Sequence, residues 1–235
     1  MPIEASNTTL ADPLFGGSAN QFVLESSPSA GCNMIHRLTT IHEYVTKAPV
    51  ALGLSILALA PFAFPGLVQL MEFEFAGLAM QNALRVIGCN WLHWSWSHLF
   101  WDVMMFYVLA SICEKHHRGA FICVMLLSAS IIPLSALLCC PDLGSYRGLS
   151  GIDTALFAML GSLSLQDSLV RRDTQGVIVY SLLLLAMVLK ISYEMIWQQT
   201  LFANDSNFTP LAVAHLVGAL MGIGVAQQKV ILKKA

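Results

Sequence analysis

Six long apolar stretches fill most of this chain and restrict the folds that are open to it. They cover approximately residues 48–70, 98–113, 119–139, 149–166, 176–197 and 209–228. Because the hydrocarbon core of a bilayer is about 30 Å thick, a helix that crosses it needs roughly 20 apolar residues. Composition agrees, since 56% of the residues are hydrophobic and 11% are charged, with a mean hydropathy of +0.67. The sequence therefore predicts an all-α membrane protein with a bundle of six transmembrane helices.

The segments outside these stretches are short. Residues 1–47 are rich in Ser, Asn, Thr and Pro, which predicts a poorly ordered N-terminal tail. Residues 229–235 form a short basic C-terminal tail, and we expect one six-helix domain, residues 48–228, between the two tails. No basic region precedes an early apolar run, so no cleavable signal peptide is predicted.

The distribution of Lys and Arg predicts the orientation, because cytoplasmic loops retain positive charge. With the N-terminus in the cytoplasm, nine of the 12 Lys and Arg residues are cytoplasmic, Arg85 and Arg147 lie outside, and Lys190 lies within the fifth stretch. Both termini are then cytoplasmic, and the loops at 71–97, 140–148 and 198–208 face the periplasm, lumen or exterior. The net charge of -2 argues against a nucleic acid partner.

Polar side chains inside the apolar stretches are candidates for function, because a charge or an imidazole in lipid costs several kcal/mol. They are His98, Asp102, Ser150, Asp153, Lys190, Glu194 and His215. The second, fourth and sixth stretches all run inward from the outer face. His98, Ser150 and His215 are therefore expected at similar depth, within about two helical turns of the outer end.

A serine and a histidine at matching depth suggest a nucleophile with its general base, which needs neither metal nor cofactor. Ser150 opens a helix, where free N–H groups stabilise negative charge, and Gly148 and Gly151 allow a close approach of substrate backbone. His215 precedes a small-residue face formed by Gly218 and Gly222, which favours tight helix packing. The structural alternatives are a serine that caps its helix and a buried histidine bonded to a carbonyl.

The buried carboxylates have several interpretations. Lys190 and Glu194 are spaced i,i+4, which favours a structural ion pair. Asp102 lies one turn below His98, and Asp153 lies one turn below Ser150. A protonated Asp102 could donate a hydrogen bond, one aspartate could orient His215, or the two could tie their helices together.

Other conspicuous residues are interpreted as structural. The cytoplasmic run Glu114–Arg118 contains adjacent histidines but is read as solvated charge, not as a metal site. Cys89 could pair with Cys139 or Cys140 across the outer face, although packing cysteines are favoured. The tryptophans of the first outer loop predict an aromatic belt: Trp91, Trp94, Trp96 and Trp101.

Three motifs occur in a specific order: "HWSWSHLFWD" with His93, His98 and Asp102, then "GLSG" with Ser150, then "HLVGALMG" with His215. Together they resemble the rhomboid intramembrane serine proteases, and the resemblance covers residues 48–228. It implies a six-helix rhomboid-like bundle in which Ser150 and His215 form a catalytic dyad and His98 helps to hold the oxyanion. Polar support from His93 would complete the site.

The run "PDLGSYRGLSG", residues 141–151, is similar to that of the rhombosortases, a subfamily of rhomboids. The likeness implies a substrate anchored in the membrane by a C-terminal helix, with a Gly-Gly signal. It also implies a bacterial inner membrane with the active site toward the periplasm. This chain departs from the family at Asp102, where Asn is usual, and at Asp153 and Ala155, where an apolar residue and glycine are common.

Two other classes of function compete with the protease. One is a catalytically inactive rhomboid-like protein that binds or escorts membrane clients, against which the retained Ser150 and His215 argue. The other is a transporter that uses Asp102, Asp153 and His215 as a proton relay. The absence of visible inverted repeats or paired broken helices weakens the transporter hypothesis.

Overall fold

The computed structural model describes residues 48–76, 82–197 and 211–234. The chain divides into two units, residues 1–39 and 40–235, and all described residues belong to the second. The predicted tail at 1–47 and the outer loop at 198–208 lie outside the described residues, as does part of the loop at 71–97.

The described segments are mainly helical, in agreement with the predicted all-α fold. The helices are α1 (Pro49–Ala63), α2 (Gly66–Met71), α3 (Asn82–Gly88), α4 (Trp96–Cys139), α5 (Ser150–Arg171), α6 (Thr174–Trp197) and α7 (Ala212–Lys234). Two 3-10 turns, Cys89–Trp91 and Pro141–Leu143, and two short antiparallel strands, β1 (Phe73–Glu74) and β2 (Ser145–Tyr146), complete them. Helices α4 and α6 are long and apolar enough to cross a membrane, and α7 continues past the predicted boundary at residue 228.

The first apolar stretch does not form the continuous helix predicted for residues 48–70. Helix α1 ends at Ala63, and Phe64 has the extended φ of -129° that a residue before proline favours. Fifteen residues span about 22 Å, which is shorter than the hydrocarbon core. Hydropathy alone missed the break because Pro65 interrupts the backbone and leaves the apolar pattern intact.

Helix α4 contains the second and third predicted stretches and is interrupted at His117, whose φ of -141° and ψ of 42° are not helical. Asn90 Nδ2 donates to the carbonyl of Ala129 at 3.0 Å. In a straight helix Ala129 would lie about 50 Å from Trp96, whereas the six residues from Asn90 to Trp96 reach at most about 20 Å. The two halves of α4 must therefore fold back on each other near His117.

Glu114 is the exception to the interpretation of the run Glu114–Arg118 as solvated charge, whereas Lys115, His116 and Arg118 are exposed. Its side chain is buried, with 3% exposure, and it caps the N-terminus of α1. Carboxylate oxygens accept from the backbone N–H of Val50 at 3.3 Å and of Ala51 at 2.8 Å. These N–H groups have no partner within their own helix, so the carboxylate supplies their hydrogen-bond acceptor. Its negative charge also interacts favourably with the helix dipole.

Helices α5 and α7 make the most extensive helix–helix contact among the described residues. The Cα of Gly218 faces the carbonyl of Gly151, and that of Gly222 faces the carbonyl of Ala155, with no room for a side chain at either glycine. The predicted small-residue face thus packs directly on the backbone of α5. This close approach sets the start of α5 beside the start of α7.

Candidate active site

Ser150 is the first residue of α5, and it does not cap the helix. Leu149 occupies the N-cap position, and its side chain makes no capping hydrogen bond. The first backbone bond of the helix runs from Asp153 N to Leu149 O at 2.9 Å. The N–H groups of Ser150 and Gly151 therefore make no hydrogen bond within the helix. A negative charge in front of this helix N-terminus would be stabilised by them.

The backbone before Ser150 is fixed by hydrogen bonds and by the backbone conformation of Gly148. Gly148 has a φ of +128°, and its N–H donates to the carbonyl of Cys89 at 3.2 Å. The Tyr146 hydroxyl donates to the carbonyl of Gly148 at 3.2 Å. Burial raises the pKa of Tyr146 well above its ordinary value, so this hydroxyl keeps its proton.

Arg147 joins the same loop to two other segments of the chain. Its guanidinium lies 2.7 Å from Glu72 Oε1 and 4.3 Å from the centre of the Trp94 ring. Beside it, β1 and β2 pair through Phe73 and Tyr146. Sequence reasoning missed this contact of Glu72, Trp94 and Arg147, because more than 20 residues separate each of the three from the others.

The predicted aromatic belt is only partly placed at the surface. Trp94, Trp96 and Trp101 are exposed, but Trp91 is buried in the core. Cys89, Cys139 and Cys140, which were considered for a disulfide, are free thiols in this structure. Burial raises the pKa of the Cys89 thiol, which keeps it neutral.

His98 packs directly against Gly148, two residues before Ser150. A Cβ on Gly148 would lie 3.2 Å from His98 Cε1 and 3.4 Å from His98 Nε2. The Asp102 carboxylate Oδ2 lies 3.2 Å from His98 Nε2 and 3.4 Å from His93 Nε2. The structure thus brings His93, His98 and Asp102 together beside the serine loop.

His93, which precedes α4, is buried, and burial lowers the pKa of its imidazole, an effect that Asp102 partly offsets. The ring is therefore neutral at pH 7.

Asp153 is also buried, and its Oδ1 has no hydrogen-bond partner among the described residues. Among the described residues, no hydrogen bond or ion pair joins Asp153 to His215.

The environment of His215 differs most from the sequence-based predictions. Its Nδ1 lies 2.6 Å from Glu194 Oε2, and the other oxygen of Glu194 lies 2.7 Å from Lys190 Nζ. The predicted ion pair of Lys190 and Glu194 is present, but it also reaches His215. The carboxylate bonded to His215 is therefore that of Glu194, a residue that the sequence-based hypothesis about Asp102 and Asp153 did not include.

Sequence reasoning missed this contact although one signal for it was available. Lys190 and Glu194 are charged residues in an apolar stretch, near its outer end, as His215 is near the outer end of the next. Their i,i+4 spacing gave a sufficient local explanation, so no partner on another helix was sought.

Ser150 and His215 are brought near each other by a contact between the residues that adjoin them in the chain. A Cβ on Gly151 would lie 3.2 Å from the carbonyl of Ala214, so the chain positions next to the serine and the histidine meet. One end of the bundle thus holds a hydroxyl at a helix N-terminus, an imidazole with a carboxylate behind it, and a second imidazole beside the serine loop. Such a set can activate a hydroxyl nucleophile and stabilise an oxyanion.

Most of the chain is similar to a known protein domain. Residues 80–229, well over half of the chain, match the rhomboid domain. The matched region contains every candidate site residue from His93 to Gly222. No curated protein matches the chain.

Proposed function

Because the chain belongs to the rhomboid family, an integral membrane family of intramembrane serine proteases, we propose that it is an active serine endopeptidase whose dyad is Ser150 and His215. The observation that carries the proposal is the packing of α5 on α7. It brings Gly151 and Ala214, the chain neighbours of Ser150 and His215, into contact, and the bond of His215 Nδ1 to Glu194 leaves Nε2 for the serine.

In this mechanism His215 Nε2 takes the proton of the Ser150 hydroxyl as its oxygen attacks the carbonyl carbon of the scissile bond. The backbone N–H of Ser150 and the His98 side chain hold the oxyanion. The imidazolium then gives its proton to the leaving amine, and water releases the acyl group by the reverse sequence. Gly148 and Gly151 keep the approach to the serine free of side chains.

The substrate class we propose is a single-span protein with a C-terminal transmembrane helix and a Gly-Gly signal just outside it. The likeness of residues 141–151 to rhombosortases supports this choice. Small residues unwind readily and fit beside a crowded serine loop. The host membrane would be a bacterial inner membrane, with the active site toward the periplasm.

The test of the dyad combines cleavage with active-site labelling. Ser150→Ala and His215→Ala should each abolish cleavage while the protein stays folded and inserted, and a fluorophosphonate probe should label the parent but not Ser150→Ala. His98→Ala should be milder, with a loss of about 10²–10³-fold for one oxyanion donor. Retained cleavage by either dyad variant would contradict the mechanism, whereas a folded parent that neither cleaves nor labels would favour an inactive client-binding protein.

The substrate class is tested with a matched pair of substrates. One carries the Gly-Gly signal ahead of its C-terminal helix, and the other carries Val-Val at the same place. Cleavage of the first alone supports the proposed class. If the enzyme cuts general rhomboid substrates but never a Gly-Gly signal, the rhombosortase assignment is wrong and the protease assignment stands.

A further inference from the structure

Glu194 is buried on a helix that is otherwise largely exposed. Only three residues of α6 are buried, Met187, Ile191 and Glu194, which lie on one face of the helix. The side chain of Glu194 is 2% exposed. Because burying an unpaired carboxylate is costly, its partners must account for this position.

The distances identify the partners and the proton between them. A carboxylate only accepts hydrogen bonds, and 2.6 Å from Glu194 Oε2 to His215 Nδ1 is a short, charge-assisted bond. Nδ1 must then carry the proton. Lys190 Nζ lies 3.4 Å from the same nitrogen but 2.7 Å from Glu194 Oε1, so the ammonium bonds to the carboxylate.

We infer that Glu194 is a positioning residue that fixes His215 in the tautomer with a free Nε2, and that Lys190 holds the carboxylate in place. The inference rests on the proposed function, and it extends the Ser-His dyad to a Ser-His-Glu arrangement with a cation behind it. The carboxylate also stabilises the imidazolium that forms when His215 takes the serine proton. Loss of the carboxylate should therefore reduce kcat with little effect on KM.

A purely structural ion pair makes different predictions, which four variants separate. Glu194→Gln keeps the shape but removes the charge, Lys190→Met removes the cation, and the double variant removes both charges. Asp167→Asn is the matched control, since Asp167 forms an i,i+4 pair with Arg171 on the exposed surface of α5, at 2.8 Å. Each variant is assayed as the full chain in detergent for kcat, KM and thermal unfolding.

If Glu194 positions His215, Glu194→Gln lowers kcat by about 10⁴-fold, the loss seen when the orienting carboxylate of a triad becomes an amide. KM should stay within a few-fold, and Lys190→Met should lose less than tenfold in kcat. The double variant should recover thermal stability yet remain as inactive as Glu194→Gln. Recovery of both stability and kcat in the double variant would overturn the inference, and Asp167→Asn should match the parent.

A spectroscopic measurement tests the same contact even if the chain cleaves nothing. With ¹⁵N-labelled histidine, the His215 signals are assigned by their loss in His215→Gln. The parent should show the tautomer protonated at Nδ1, with a downfield proton, and Glu194→Gln should lose that signature. A parent protonated at Nε2 would overturn the inference, whereas absent cleavage by a parent with the expected signature would count against the protease and not against the contact.

Discussion

Gly148 is the single residue whose replacement should be most informative about the serine loop. Its φ of +128° disfavours any side chain, and a Cβ there would press on His98 at 3.2 Å. We expect Gly148→Ala to lower kcat/KM by more than tenfold, because it displaces both the loop before Ser150 and the imidazole beside it. Cleavage assays on purified protein measure this.

Gly144→Ala is the control for Gly148→Ala. Gly144 also has a positive φ, +76°, but a Cβ there would meet nothing within 4 Å. The variant Gly144→Ala should lose about 1 kcal/mol of stability, because alanine disfavours the left-handed backbone, and it should keep its activity. Equal losses of activity in the two variants would mean that backbone strain, and not the contact with His98, explains the effect.

His93 should make stability depend on pH. Its folded pKa lies below the ordinary 6.5, so below that pH the unfolded chain binds more protons than the folded one. The free energy of unfolding therefore falls as the pH drops through about 6.5. The groups that face the ring are Asp102 and His98, and both remain in the variant His93→Gln.

We expect the thermal midpoint of the parent to fall more than that of His93→Gln between pH 7.5 and pH 5.5, values that bracket the ordinary histidine pKa of about 6.5. Thermal unfolding in detergent at the two pH values measures the difference. Identical falls in parent and variant would show that His93 does not carry this dependence. The comparison isolates His93 because the other histidines are present in both proteins.

At the scale of elements, the contact of α5 with α7 carries the site. A methyl group at Gly218 or Gly222 would collide with the carbonyl of Gly151 or Ala155, so the helices must separate. Gly218→Ala and Gly222→Ala should each destabilise the protein by about 1–3 kcal/mol, as overpacking does, and should reduce activity by moving His215 from Ser150. Thermal unfolding and cleavage assays measure the two effects.

Gly224 supplies the control on the same helix. A Cβ at Gly224 would meet nothing within 4 Å, so Gly224→Ala should raise helix propensity and leave activity unchanged. If all three variants behave alike, the close contact of the two helices does not position the site.

The elements also show what the sequence can and cannot predict. Periodic and cumulative features were predictable: the apolar stretches, the small-residue face of Gly218 and Gly222, and the common depth of Ser150 and His215. Contacts between distant positions were not. The cap that Glu114 provides for α1 and the bond of Glu194 to His215 each join different helices, and a sequence pattern reports only the neighbours of a residue along its own helix.

For the molecule as a whole, the arrangement of charge and site predicts its orientation in the membrane. Helix α5 has 22 residues, so Ser150 and Arg171 lie about 32 Å apart, close to the thickness of the hydrocarbon core. The opposite end from Ser150 carries Arg171 and Arg172, and the break of α4 lies beside Lys115 and Arg118. Since positive charge is retained in the cytoplasm, the serine end should face outward.

Thiol labelling tests this orientation in a chain with every other cysteine replaced. One version keeps the exposed Cys139, at the serine end, and the other carries Arg171→Cys, whose parent side chain is 73% exposed at the far end. A membrane-impermeant maleimide should label Cys139 on intact cells and should reach Arg171→Cys only after permeabilisation. The reverse pattern would place the serine in the cytoplasm, and cleavage would then have to occur at the inner end of a substrate helix.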